Sequence, residues 1–347
     1  MTTSKAKALK PARWLGGIVF LLSLAAGWFM IDFYMFKETS LNIPAGGMDY
    51  TVAPGTSMKS LAYDLQRRGV VDHPGYLVLL ARWQRAAGRI QAGEYALAPG
   101  MTPRDLLDKL VAGKVLQHSL TLLEGWTFKQ MMDAINRDPD LEHTLRGLTG
   151  EQIMTRLGLP EHNPEGLFHP DTYHFPEGTS DATFLRRAYD AMHEELARAW
   201  HDRDPDVPYD TPYQALIVAS IIEKETAIPE ERPRIAGVLV RRLRRGMRLA
   251  VDPTVIYGLG DLFDGNLRRH DLRHDTPYNT YLHRGLPPTP IAMPGVKSIQ
   301  AAMHPAQGQA LYYVARGDGS HQFSDTLAEH REAVARYQLG ERPMVVR

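Results

Sequence analysis

The sequence predicts an α+β protein built from one N-terminal membrane-spanning helix, a small α+β unit and a larger mixed α/β domain with a helical core. Three observations predict it. An uncharged, mostly apolar run extends from Trp14 to Ile31, long enough for a bilayer span. The segments Ala53 to Leu61 and Ala98 to Leu106 share a pattern of glycine turn and capped helix after a short strand, with a looser third copy at Leu123 to Met131; such repetition marks a reused supersecondary unit. Finally, the apolar stretch from Ala215 to Ile222 ends in Glu223, the pattern of a largely buried helix that delivers an acid to its end.

The amino-terminal run follows Lys5, Lys7, Lys10 and Arg13 and precedes Asp32, Phe33, Tyr34 and Phe36. Eighteen helical residues cover about 27 Å, and the aromatics can extend the segment to Phe36. The basic flank predicts a cytoplasmic tail over 1–13, a span over 14–36 and a linker over 37–46, with the remainder outside the inner membrane of a bacterial host. A cleaved signal peptide is the alternative. Ala25-Ala26-Gly27 is a faint cleavage site and the apolar run continues past it, so an uncleaved anchor is expected.

Composition narrows the chemistry. The chain has no cysteine, so neither a disulfide nor a thiol nucleophile is available, and its 40 basic residues balance 40 acidic ones. Ordinary hydrophobic cores must hold the extracytoplasmic part, and no broad positive footprint for nucleic acid exists. The run Arg241, Arg242, Arg244 and Arg245 reads as the solvated face of a helix, with contact to anionic lipid or polymer as the alternative.

Within residues 47–116, Gly55 and Gly100 supply the turns, Ser57 and Thr102 the N-caps, and Leu61 and Leu106 the anchoring apolar residues; Gly125, Thr127 and Met131 repeat the arrangement further on. A second helix from Tyr76 to about Ala86 and a strand through Tyr95 to Leu97 complete the small unit. Units of this shape serve glycan binding, or spacing and packing, and this one holds no reaction centre.

The larger domain covers 117–347. Pro139, Gly147, Gly150, Gly158 and Pro160 restrict 139–164 to loop and short helix. The segment E-G-L-F-H-P-D-T-Y-H-F at 165–175 reads as an aromatic, polar turn suited to the wall of a sugar-binding groove, with Glu165 and Tyr173 as candidate contacts. Its His169, Asp171 and His174 match no common zinc spacing, and neither do His270, Asp271 and His274, so no metal is expected.

A long helix is predicted over Asp181 to Trp200. The Glu223 helix follows, with Asp210 or Thr211 as N-cap and Pro212 in its first turn. An ionised carboxylate at the end of a buried helix needs a partner or a proton, although an ordinary helix-end acid before Pro229 fits the helix equally well. Glu225 lies about 200° further around the axis and should point elsewhere, toward solvent or a neighbouring charge. Another helix runs from about Glu230 to Arg245 and stops at Gly246. Asp252 then falls at a bend set by Pro253, beside a strand-like apolar run, as a substrate contact or an ordinary turn residue. Pro287, Pro288, Pro290 and Pro294 stiffen an extended loop, so that Tyr278, Asn279, Thr280 and Tyr281 line a cleft. The chain closes with a strand over Ala310 to Ala315, a polar stretch from His321 to His330, both histidines read as structural, and a final helix.

In their shared order these segments resemble the YceG-like family of endolytic murein transglycosylases, over essentially the whole chain. The resemblance rests on E-G-W-T at 124–127, E-G-L-F-H-P-D-T-Y at 165–173, A-S-I-I-E-K-E-T at 219–226, G-M-R-L at 246–249, D-P-T-V-I-Y at 252–257, Y-N-T-Y at 278–281 and G-L-P-P-T-P-I at 285–291, behind an N-terminal anchor. It implies a LysM-like subdomain over 47–116, a catalytic domain over 117–347, peptidoglycan glycan strands as substrate, and Glu223 as the catalytic acid/base. Glu223 would protonate the glycosidic oxygen between N-acetylmuramic acid and N-acetylglucosamine, with apolar neighbours keeping it protonated. It would then assist attack by the muramoyl 6-hydroxyl on its own anomeric carbon, leaving a 1,6-anhydro end. Asp252 is the runner-up for a supporting role, and Glu165, Tyr173, Tyr278, Asn279 and Thr280 are groove candidates. The resemblance further implies termination of nascent strands at the inner membrane beside penicillin-binding proteins, and no cofactor. Departures at Arg241, Ala250-Val251, Thr289 and Met293 bear on subsites rather than on chemistry. A glycan hydrolase and a non-catalytic wall-binding scaffold are the alternative readings.

Overall fold

The computed structural model describes residues 10–159 and 163–339; Pro160 and the tail residues Lys5 and Lys7 lie outside that range. The chain divides into two compact units after His118.

The first unit begins with α1 (Lys10–Glu38), of which Trp14–Glu38 is long and apolar enough to cross a membrane. Then come β1 (Met48–Val52), α2 (Met58–Arg67), α3 (Pro74–Trp83), β2 (Gly93–Leu97) and α4 (Pro103–Val111). β1 and β2 pair antiparallel with Tyr50 opposite Tyr95, and strand alternation turns Tyr50, Val52, Tyr95 and Leu97 into the core. Leu61, Leu65, Leu77, Leu80, Leu106 and Leu110 fill it from the helices. The repeat takes the form its sequence requires. Gly55 and Gly100 turn at φ of 79° and 82°, the left-handed region that glycine enters without a Cβ penalty. Ser57 and Thr102 cap α2 and α4. α3 starts earlier than its hydrophobic pattern indicates because Pro74 suits a first turn, and it ends before Ala86, near Arg85 at φ 55°.

Strand β3 (His118–Thr121) leads into the second unit, which continues through α5 (Phe128–Ile135), β4 (Leu141–Glu142), α6 (Gly150–Leu157), β5 (Thr172–Phe175), β6 (Thr179–Ser180), α7 (Asp181–His201), α8 (Pro212–Glu225), α9 (Arg232–Arg244), α10 (Asp252–Leu259), α11 (Val296–Met303), β7 (Tyr312–Ala315), β8 (His321–Ser324) and α12 (Leu327–Tyr337). Its strands form short two-stranded pairs, β3 with β5, β4 parallel to β6 and β7 antiparallel to β8, so helices supply the core. α8 is the central element: Ala215, Leu216, Val218, Ala219, Ile221 and Ile222 are wholly buried around its full circumference, as a helix apolar on all sides must be. It packs against α7, α9, α10 and α11.

Three expectations change here. Asp252 opens a helix, α10, rather than a bend before a strand; the fixed φ of Pro253 suits a first helical turn and outweighs the β-branched residues behind it. The segment 165–175 is largely core, with Phe168 and Phe175 fully buried, and only Asp171, Thr172 and His174 of it are exposed. The arginine run is split: Arg244 and Arg245 are exposed, but Arg242 is buried and donates to the carbonyls of Leu311, at 2.6 Å, and Leu249. His321 is structural, its ring nitrogen 2.7 Å from the carboxylate of Glu231.

Candidate active site

α8 delivers Glu223. Thr211 caps the helix through the N–H of Gln214 and Pro212 occupies the first turn, and the apolar turns that follow sink the helix until Glu223, whose side chain is 7% exposed. One carboxylate oxygen accepts the N–H of Gly295 at 3.1 Å, and the other lies 3.4 Å from Nη2 of Arg232. Gly295 is the N-cap of α11 and Arg232 the first residue of α9, so two helix N-termini and one C-terminus converge on this group. Rather than an apolar surround, Glu223 has a charged and a neutral donor, which is what burial of a carboxylate demands.

The loop before α11 is fixed on the same face of α8. Ser220, one turn earlier, accepts the N–H of Ile291 at 3.0 Å, so a hydroxyl and a carboxylate on successive turns take the N–H groups at the two ends of the stretch from Ile291 to Gly295. On its other edge, Gly125 donates to Met293 and Met293 donates to Trp126, both at 2.8 Å. Lys224 closes the ring by donating to the carbonyl of Gly125 at 3.1 Å. Above these contacts lies an open cleft of about 530 Å³ whose lining includes Glu124, Trp126, Gln130, Glu223, Glu225 and Arg232. The Nε of Arg232 is buried without a hydrogen-bond partner.

Glu225 does not point into solvent. Its carboxyl faces Tyr313, Asp252 and Arg242, and burial, reinforced by the negative charge of Asp252, pushes its pKa up to about 8 against the opposing pull of Tyr313 and Arg242. Asp252 is exposed and accepts a 2.6 Å hydrogen bond from the hydroxyl of Tyr281. Burial, and then Asp252, raises the pKa of Tyr281.

Glu165 is a second buried acid, 4% exposed. It accepts the N–H of Phe128 at the start of α5 and the hydroxyl of Tyr257 on α10, both at 3.0 Å. Burial pushes its pKa up to about 7, opposed by those bonds, by the Gly166 N–H and by Lys224. Tyr278 packs edge-on against Tyr257 at 4.8 Å and shares a 2.9 Å hydrogen bond with Thr289.

The remaining candidates hold the framework. Asn279 is wholly buried, its amide nitrogen donating to the carbonyls of Leu272 and His274 and its oxygen accepting the N–H of Tyr281. Thr280 accepts the N–H of Val251 at 3.1 Å and hydrogen-bonds Thr254 at 2.8 Å. The ring of Tyr173 packs on Phe184 at 5.3 Å and its hydroxyl donates to the carbonyl of His169. All three side chains are committed to the fold.

Sequence reasoning missed Ser220, Arg232 and Gly295 as partners of the site. Ser220 carried a signal, since a lone hydroxyl in a buried apolar run needs a partner. Arg232 had none, being one cation in the run E-E-R-P-R at 230–234.

Comparison with known proteins extends over most of the chain. A family model described as the YceG-like family matches residues 50–336. A Bacillus subtilis (strain 168) protein named endolytic murein transglycosylase is 28% identical over 318 residues, covering 87% of this chain and 86% of the relative. A Streptococcus pneumoniae (strain D39) protein of the same name is 26% identical across 92% of this chain, which spans 64% of that longer relative. The crystal structure of a YceG-like protein from Listeria monocytogenes matches with a TM-score of 0.53 and 28% identity, over 82% of this chain and 98% of that one.

Proposed function

The chain belongs to the YceG-like family, and from that premise we propose that it is an endolytic transglycosylase that cuts the β-1,4 bond between N-acetylmuramic acid and N-acetylglucosamine within peptidoglycan strands, leaving 1,6-anhydro ends. The observation that carries this reading is the buried Glu223 at an open cleft, with Gly295 and Arg232 on its two oxygens. The first step requires Glu223 in its protonated form in the substrate complex; that proton passes to the glycosidic oxygen as its bond to the muramoyl anomeric carbon breaks. The Gly295 N–H and the Arg232 guanidinium stabilise the carboxylate that remains. That carboxylate takes the proton of the 6-hydroxyl as its oxygen bonds to the anomeric carbon, which restores the acid and consumes no water.

Most glycan hydrolases use a second ionised carboxylate, as nucleophile or as base for water. Glu225 lines the same cleft with its pKa pushed up to about 8, and the exposed Glu124 lines it too, so the product formed, rather than the number of carboxylates, separates the two reactions. Asp252 is proposed to support charge or contact sugar hydroxyls, and Arg232 to hold the charge of Glu223 through Nη2. Residues 47–116 act as a LysM-like glycan-binding unit. α1 acts as a single-pass anchor of a bacterial inner membrane, with its basic end cytoplasmic, keeping the site near nascent strands and penicillin-binding proteins. The test is mass spectrometry of uncrosslinked glycan strands after incubation with the protein. Internal fragments with anhydromuramic ends are expected; ends carrying the elements of water would assign the chain to the hydrolases, and bound but intact strands would make it a scaffold.

A further inference from the structure

The first unit carries a second apolar surface beside the membrane helix. Tyr76, Leu79 and Trp83 recur at i, i+3 and i+7 along α3 and share one face. Leu79 is 40% exposed and Trp83 69% exposed, although both belong to a short, strongly apolar helix. This stripe runs alongside the end of α1: the ring of Tyr76 meets Phe29, Phe33 and Phe36 with centroids 5.4, 5.7 and 5.6 Å apart, and Trp83 lies beneath Lys37, whose Nζ is 6.0 Å from its ring centroid. The Tyr76 hydroxyl also donates to Asp32 at 2.7 Å, giving that acid a partner where hydrocarbon ends.

Depth along α1 locates the stripe. From Trp14 to Phe33 a helix rises about 29 Å, close to the thickness of a hydrocarbon core. Tyr76 is therefore level with the core boundary, and Trp83, beside Lys37, stands about 6 Å further out, in the headgroup layer where tryptophan concentrates. Residues 74–92 contain Arg82, Arg85 and Arg89 and no acid, and all three arginines are exposed. An apolar face continuous with the lipid-facing helix and carrying three exposed arginines, with the nearby acids Asp32 and Glu38 paired to Tyr76 and Lys37, matches anionic phospholipid.

Resting on the reading that α1 crosses a bilayer, we infer that α3 lies in the interfacial layer of that bilayer, with Leu79 and Trp83 among the acyl boundary and Arg82, Arg85 and Arg89 on anionic headgroups. The first unit is thereby held against the membrane surface.

Because the chain has no cysteine, single thiols can be placed in the full-length protein as Leu22→Cys, Thr51→Cys, Leu79→Cys and Trp83→Cys. Each is labelled with an environment-sensitive dye and reconstituted in phosphatidylcholine vesicles with or without phosphatidylglycerol. Nitroxide lipids labelled deep or shallow in the bilayer, and aqueous iodide, report position. We expect deep quenching at Leu22, shallow quenching with blue-shifted emission at Leu79 and Trp83 that strengthens with phosphatidylglycerol, and iodide quenching at Thr51. Deep quenching at Leu22 with only iodide quenching at Leu79 and Trp83 overturns the inference and leaves the span intact. Protection of both positions from iodide without lipid quenching assigns the face to protein and also overturns it. Iodide quenching at Leu22 removes the span, and the inference with it.

Discussion

Glu223 and Glu225 sit two residues apart on α8 and meet opposite surroundings. The first has donors on both oxygens, whereas the second faces another carboxylate under burial. The sequence made Glu223 legible because an acid closing an apolar helix demands a partner. It showed that Glu225 points away from Glu223, but Asp252, Tyr281 and Tyr313 come from elements far along the chain, and local pattern carries no information about them. A pH dependence follows. The Glu225 pKa rises from an ordinary 4.5 to about 8 on folding, so between those values the folded state keeps a proton that the unfolded chain has released. Stability contributed by this group therefore falls as pH rises from about 4.5 to about 8 and is level above, and Glu165 acts in the same direction up to about 7. Denaturant midpoints taken at pH 5 and pH 8 should drop for the unaltered protein and drop less for Glu225→Gln. Equal slopes in the two proteins would remove the charge burden assigned to Glu225.

The elements around the site depend on how the loop before α11 is docked. The Ser220 hydroxyl oxygen accepts the N–H of Ile291 at a wholly buried position. Ser220→Ala leaves that donor unpaired and should destabilise the protein by about 1–3 kcal/mol, seen as a lower melting temperature, with activity falling as the loop loosens over Glu223. Gly166 fits the same loop from the other side. It sits at φ 77°, and a Cβ there would lie 2.4 Å from the Cβ of Pro290. Strain and overpacking together put the expected cost of Gly166→Ala at about 2–4 kcal/mol, and a variant as stable as the parent would show that the loop does not seat tightly there. The extended character of this loop could be read from its prolines. Its hydrogen bonds to α8 could not, because backbone N–H groups leave no trace in residue identity. The misreading of α10 has a related origin: β-branched residues favour a strand locally, and Pro253 at a helix start decides otherwise.

At the scale of the whole molecule, the glycine-turn repeat was legible because each copy needs only local chemistry: a positive-φ glycine, a hydroxyl cap and one buried anchor. Its third copy, Gly125 and Thr127 capping α5, lies outside the first unit and beside Glu223, which repetition alone does not convey. The first unit holds its own core, from Leu41 on α1's trailing segment through Leu110 on α4. Expressed alone, residues 39–118 should unfold in one cooperative transition by circular dichroism; a gradual loss of signal would show that this core does not suffice. In the proposed mechanism one carboxylate serves as acid and then as base. That dual role is tested most directly by the rate at which anhydromuramic ends form with Glu223→Gln beside the unaltered protein, both confirmed folded by their melting transitions. The variant should lose about 100-fold or more; anhydro ends formed at an equal rate would take the acid/base role away from Glu223.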